Sequence, residues 1–246
     1  MARARRQLGF EFRTWGGART NAGRPPKGRA AGVSHLRRPS HSYAHPLHIT
    51  LRVVRGLTSL REHRVFSVVR RALARGKQHF GFSLVHFSVQ RDHLHLIAEA
   101  GDRRALSRGM QGLSIRIARA VNAQLGRGGK LFADRYHARA LTTPRTVRLA
   151  LRYVLLNVRK HLRGPQGSAE ASSAGLSPGF MDECSSAPWF SGFRRPAELA
   201  FGAREAREDW QRASGSIEPP VVRGESWLLR SGWRRAGDFD VDELPG

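Results

Sequence analysis

Between residues 43 and 163 apolar side chains recur first at every second position and then at every third or fourth, and this succession of periods leaves few folds open. Ile49, Leu51 and Val53 alternate with His48, Thr50 and Arg52, which predicts a strand with one apolar and one polar face. Val65, Val69, Ala72 and Leu73 then form a helical stripe, with Ser59 and Glu62 spaced as a capping box and Gly76 as its stop. Phe82 to Val89 and His93 to Glu99 read as two strands joined by the turn Gln90-Arg91-Asp92, a hairpin. A long helix follows, capped by Asp102, with Leu106, Met110, Leu113, Ile117 and Leu125 at helical spacing and Gly126 beyond its end. Tyr136 to Leu141 reads as a short strand, and Thr143 with Pro144 opens a last helix. The order β-α-β-β-α-β-α predicts an α+β fold: a ferredoxin-like split βαβ antiparallel sheet with an additional C-terminal helix.

Charge divides the chain in the same places. The 246 residues carry a formal net charge of +24, but residues 1–42 hold +9, residues 43–163 hold +19 and residues 164–246 hold −4. An ordinary metabolic enzyme does not need such an excess, so a polyanion, above all nucleic acid, is the expected partner. Residues 1–42 are rich in Gly, Arg and Pro and read as a disordered basic arm. Residues 43–163 are the packed domain, 164–188 a Ser, Ala and Gly linker, and 189–246 an acidic extension carrying Trp189, Phe190, Phe193, Trp210, Trp227 and Trp233. The extension is expected to dock on the domain through Trp227-Leu228-Leu229 and Gly232-Trp233-Arg234-Arg235, stacking on DNA bases being the alternative. The lone Cys184 excludes a disulfide scaffold and a thiolate zinc site. Neither a membrane span nor a secretory signal is legible, so the expected compartment is the cytoplasm.

The sharpest chemical signal is His93-Leu94-His95 within a strand. Alternation puts both imidazoles on one face, their Cβ atoms roughly 6 to 7 Å apart, and two imidazoles so placed can grip one divalent ion. A solvated pair of polar residues is the plain alternative. In the last helix Val147, Leu151, Val154 and Val158 form the buried stripe, and Tyr153 and Asn157 fall together on its flank. If that helix covers the polar face of the sheet, Tyr153 and Asn157 reach toward the two His. Tyr43 and Tyr136 sit where packing is the better reading. Gly126 to Lys130 lacks the first Gly and the Ser or Thr of a phosphate loop.

These residues carry a family resemblance. His93-Leu94-His95 resembles the His-hydrophobic-His signature of HUH single-strand nucleases, and Tyr153-Val-Leu-Leu-Asn157 resembles the nucleophile helix of single-tyrosine transposases. With His45-Pro46-Leu47-His48-Ile49-Thr50-Leu51-Arg52, Arg108-Gly109-Met110-Gln111-Gly112-Leu113 and Arg135-Tyr136-His137-Ala138-Arg139, the stretch from His45 to His161 is similar to REP-associated tyrosine transposases, with an IS200-like transposase domain. The resemblance implies that Tyr153 is the nucleophile, that His93, His95 and Asn157 hold a divalent metal, Mg²⁺ or Mn²⁺, and that the partner is single-stranded or hairpin DNA. Many relatives have Pro after the Asn, where this chain has Val158.

Arg52, Arg108, Arg116, Arg135 and Arg139 are the expected backbone contacts of the domain, and Arg24 that of the arm, where Gly23-Arg24-Pro25 resembles a minor-groove hook. A rolling-circle nickase fits less well, because Leu156 stands where initiators usually have Lys. A catalytically silent DNA- or RNA-binding regulator on the same fold remains the alternative from another class. A monomer and a homodimer exchanging Tyr helices are both compatible with the sequence.

Overall fold

The computed structural model describes residues 40–158, 180–194 and 219–243; Arg24, with most of the arm, lies outside them, as do Trp210 and His161. The elements are β1 (Leu47–Arg52), α1 (His63–Gly76), β2 (Gln78–His79), β3 (Phe82–Val89), β4 (His93–Ala100), α2 (Arg103–Gln124), β5 (His137–Ala140) and α3 (Pro144–Leu155). The five strands form one antiparallel sheet in the order β2-β3-β4-β1-β5. Strands β1 and β3 flank β4, the split βαβ arrangement expected from the sequence, with β2 as an edge piece too short for periodicity to reveal.

The sheet separates two cores. On one face Ile49, Leu51, Leu94, Leu96 and Phe87 pack against Val69 and Leu73 of α1 and Met110, Leu113 and Ile117 of α2. On the other, Val85 and Ile97 meet Val147, Leu151 and Val154 of α3 together with residues of the C-terminal segments. Because both faces are covered, β3 and β4 are buried almost throughout. The helices begin largely as the sequence indicates. Asp102 accepts the Ala105 N–H at 2.7 Å, and Thr143 and Thr146 form a reciprocal capping box with Pro144 in the first turn. At α1 the expectation is corrected: Glu62 is the cap residue without a side-chain cap bond, and Ser59 Oγ accepts the Arg61 N–H in a local turn. Gly126 has φ +60°, the left-handed conformation that ends α2.

Gly109 sets the approach of α2 to the sheet. A Cβ there would lie 2.3 Å from side-chain atoms of Phe82, a fully buried residue that cannot move aside cheaply.

The assigned linker 164–188 is corrected at its end. Residues 182–188 are packed: Val89 N–H donates to Cys184 C=O, Ser186 N–H donates to Phe87 C=O, and Asp182, Ser185, Ser186 and Ala187 are buried. Val222 N–H likewise donates to Leu84 C=O. These bonds occupy the edge of β3 beyond the two residues paired with β2, so the C-terminal segments shield an edge that would otherwise present free backbone groups. Asp182, 3% exposed, receives both guanidinium arms of Arg61 at 2.7 and 2.8 Å. The helical turn Trp227–Arg230 and the 3₁₀ segment Gly232–Ala236 dock on α3, as the sequence leads one to expect. There Phe190, Phe193, Trp233 and Phe239 form an aromatic cluster with ring centroids 4.9 to 5.8 Å apart.

His86 of β3 is enclosed by this docking. Its Nδ1 lies 3.2 Å from Ser186 Oγ, and burial pushes its pKa from the ordinary 6.5 to about 3. Between those values the unfolded chain binds a proton that the folded chain refuses. Stability from this group is therefore complete above pH 6.5 and declines as pH falls toward 3. Denaturant melts taken from about pH 7.5 to about pH 4.5 are expected to show that decline, and His86→Leu is expected to flatten it. Gly109→Ala is expected to lose about 1–3 kcal/mol in the same measurement at neutral pH, through overpacking against Phe82.

Candidate active site

Cross-strand register fixes which polar groups share a face. Arg52 pairs with His93, Thr50 with His95 and His48 with Ile97; on the other side of β1, His137 pairs with Thr50 and Arg139 with His48. Residues directly opposite one another point the same way, so His48, Thr50, Arg52, His93, His95, His137 and Arg139 belong to one face. That is the face α3 covers.

Helix α3 places Tyr153 Oη 3.3 Å from His95 Nε2, with the rings edge-on at 4.9 Å between centroids. The two imidazoles converge further than their backbone spacing suggests: His93 Nε2 and His95 Nε2 are 3.1 Å apart. Each ring is held from behind. His93 Nδ1 lies 2.7 Å from the Asp92 carboxylate, whose pKa this hydrogen bond lowers. His95 Nδ1 lies 3.2 Å from Thr50 Oγ1 and 3.3 Å from His48 Nε2. His48 is itself kept neutral: burial, then His137 and Arg139, pushes its pKa down to about 4. If the Nδ1 protons are directed to Asp92 and to Thr50 or His48, the two Nε2 atoms present lone pairs to each other.

Two facing lone pairs at 3.1 Å repel unless a cation lies between them, and adjacent ligands of an octahedral ion with bonds of about 2.1 Å stand roughly 3 Å apart. The His pair therefore fits a divalent metal. Among the described residues no group of three or more His, Cys, Asp or Glu is arranged to hold one, so any further protein ligand must come from another residue type. Asn157 is such a residue. It is fully buried, and neither its Oδ1 nor its Nδ2 has a hydrogen-bond partner.

The local backbone at Asn157 corrects the continuous helix expected from the sequence. Helix α3 ends at Leu155, Leu156 caps it with φ −111° and ψ 15°, and helical backbone resumes at Asn157. Tyr153 and Asn157 are thus not successive turns of one regular helix, and Val158 is only partly buried. The break occurs without a proline.

The Arg candidates divide between the two layers. Arg52 and Arg139 are exposed on the face of the His pair, and Arg135 is exposed just before β5. Arg108 and Arg116 belong to α2, behind the sheet, where Arg108 lies 6.0 Å over the Phe80 ring and Arg116 stands beside Arg119, Arg71 and Arg75. Helical periodicity marks those two as outward-facing but does not say on which side of the sheet. Asp92, Thr50 and His48 as supports of the imidazoles are revealed by the register; the sequence gives the shared face of His48 and Thr50 but not their bonds to His95.

The model of the family described as transposase IS200 like matches residues 41–155. The match spans just under half of the chain. The matched stretch takes in β1 to β5 and α1 to α3, so Tyr153, His93 and His95 lie inside it, while Asn157 and the C-terminal segments are beyond its end. No curated protein matches the chain. Among solved structures, one described as the REP-associated tyrosine transposase bound to a REP hairpin aligns with 17% identity over 52% of this chain and 74% of that chain, at a TM-score of 0.43. No helix among the described residues is long and apolar enough to cross a membrane.

The C-terminal segments, which lie outside the matched stretch, hold the helix that carries Tyr153. Glu243 receives Arg148 Nη2 at 3.1 Å and also pairs with Arg152, beside Tyr153. Burial would raise the Glu243 pKa, but the bonds from Arg152 and Arg148 outweigh it and lower the value. Glu243→Ala is expected to speed hydrogen exchange of the amides of α3 severalfold while leaving those of α2 unchanged, a contrast readable by mass spectrometry.

Proposed function

We propose that the chain cleaves and rejoins single-stranded DNA by covalent attachment of a 5′-phosphate to Tyr153, the strand-transfer chemistry of a transposase. The observation that carries the reading is the meeting of Tyr153 Oη with the converged pair His93 and His95, within 3.3 Å of the latter. A phenol buried only for packing needs no such company, whereas a nucleophile does.

In this mechanism Tyr153 Oη bonds to the scissile phosphorus, the bond from phosphorus to the 3′-oxygen breaks, the phenolic proton is released and the departing 3′-oxygen takes one up. Bond energy is retained in the 5′-phosphotyrosine, so a second 3′-hydroxyl reverses the step and joins strands without ATP. His93 and His95, with Asn157 as the third ligand, would hold Mg²⁺ or Mn²⁺. When bound, that ion supplies charge neutralisation at the phosphate oxygens. Asp92 and Thr50 fix the imidazole orientations, as groups behind metal-ligating His commonly do. Arg52, Arg139 and Arg135 border the site and contact the DNA backbone there; Arg108 and Arg116 bind phosphates on the opposite layer, and Arg24 from the arm.

A single strand or the end of a hairpin suits the site better than continuous duplex. The His pair lies beneath α3, the helix that carries Tyr153, His95 being only 6% exposed, and a phosphate constrained in a duplex cannot descend to it. Tyr153 and His95 meet within one chain, which favours catalysis without exchange of helices between copies, although a homodimer is compatible with it.

Incubation of the protein with end-labelled hairpin DNA and Mn²⁺ is expected to give a species that survives denaturing electrophoresis. Tyr153→Phe abolishes it, and His95→Ala reduces it by at least about 10²-fold. Equal adduct from Tyr153→Phe overturns the assignment. Binding without any adduct in the wild type favours the silent regulator instead.

A further inference from the structure

A second constellation lies on the same face of the sheet, its aromatic and cationic members outside the transposase match. Ser88 of β3 pairs with His95, and His86, two residues earlier, pairs with Ile97. His86 therefore stands on the polar face roughly 7 Å along the strand from the position opposite His95. Above it the C-terminal segments enclose a cavity of about 470 Å³, within the size range of small-ligand sites. Its walls include the rings of Trp189, Phe190 and Trp233, and its rim carries Arg223 and Arg230.

The two rim arginines lack the partners that structural arginines acquire. Arg223 and Arg230 are exposed and make no ion pair or side-chain hydrogen bond among the described residues, in contrast to Arg234, which pairs with Asp238 at 2.7 Å and stacks on Trp233. His86 is only 9% exposed, and its Nδ1 is engaged by Ser186, while Nε2 has no partner among the described residues. An imidazole nitrogen without a protein partner beside a cavity leaves room for a hydrogen-bonding ligand.

We propose that this cavity receives an unstacked nucleotide of single-stranded DNA: its base among Trp189 and Phe190, its edge on His86 Nε2, and its adjoining phosphates on Arg223 and Arg230. The inference rests on the reading that the chain acts on single-stranded DNA, and it adds a place where that strand is held apart from the site of cleavage. Flat aromatic walls suit a base, and two unpaired guanidinia at the rim suit the backbone on either side of it. A neutral His86 contributes a hydrogen bond without a charge, which suits a base edge and not a phosphate. Duplex DNA does not fit, since its bases are stacked and paired.

The full-length Tyr153→Phe protein, which binds without cleaving, is irradiated with single-stranded oligonucleotides carrying 5-bromodeoxyuridine, and the cross-linked peptides are mapped. Cross-links are expected at His86, Trp189 or Phe190. The variant Arg223→Ala/Arg230→Ala, altered only at exposed positions, is expected to bind the single strand about ten-fold more weakly and duplex DNA unchanged. Cross-links confined to other segments, or equal weakening for duplex, overturn the proposal. Adduct formation at Tyr153 separates the two readings. A double variant with unaltered strand affinity that still forms adduct removes the pocket and leaves the tyrosine chemistry standing. Cross-links at the pocket together with no adduct from the protein with Tyr153 intact do the reverse.

Discussion

Imidazoles on a covered sheet face must find partners for their nitrogens, and that requirement organises this molecule. His93 and His95 sit under α3 because β4 is sandwiched between two cores, and unpaired polar atoms there are costly. The partners come from the strand ends and from β1: Asp92 behind His93, Thr50 and His48 behind His95. Once those bonds are made, the two Nε2 atoms face each other and Tyr153 closes the group from above. The geometry that satisfies burial is thus the geometry that suits a cation and a nucleophile.

Support for α3 comes from beyond the family match. Glu243 holds Arg148 and Arg152, the aromatic cluster packs the underside of the helix, and Ser186 and Cys184 occupy the edge of β3. The acidic balance of residues 164–246 against the +24 total acquires a physical meaning here. Carboxylates such as Asp182 and Glu243 neutralise guanidinia that fasten the C-terminal segments. Arg52, Arg135 and Arg139 are not consumed in this way and border the His pair.

Much of this was legible in the sequence because burial on one side imposes a period. The strand around Ile49, the hairpin of β3 and β4, the Asp102 and Thr143 caps and the approach of Tyr153 to His95 all follow from alternation and helical spacing. The break at Leu156 did not, since Leu156, Asn157 and Val158 continue an acceptable helical pattern and no proline marks the interruption. Nor did the docking of residues 182–188, whose composition resembles a linker but whose partners, Arg61 and Phe87, lie about a hundred residues away. Arg108 and Arg116 show the same limit: a helical wheel separates inside from outside, while the layer to which a helix belongs is decided by the sheet.

The central claim is that Tyr153, and no other tyrosine, carries the DNA in the covalent state. Proteolysis of the protein after reaction with a defined oligonucleotide, nuclease trimming and peptide mass spectrometry locate the attached nucleotide directly. A 5′-phosphonucleotide on the peptide containing Tyr153 is the expected result. Attachment at Tyr136 or Tyr43, or a 3′-phosphate linkage at any residue, would contradict it.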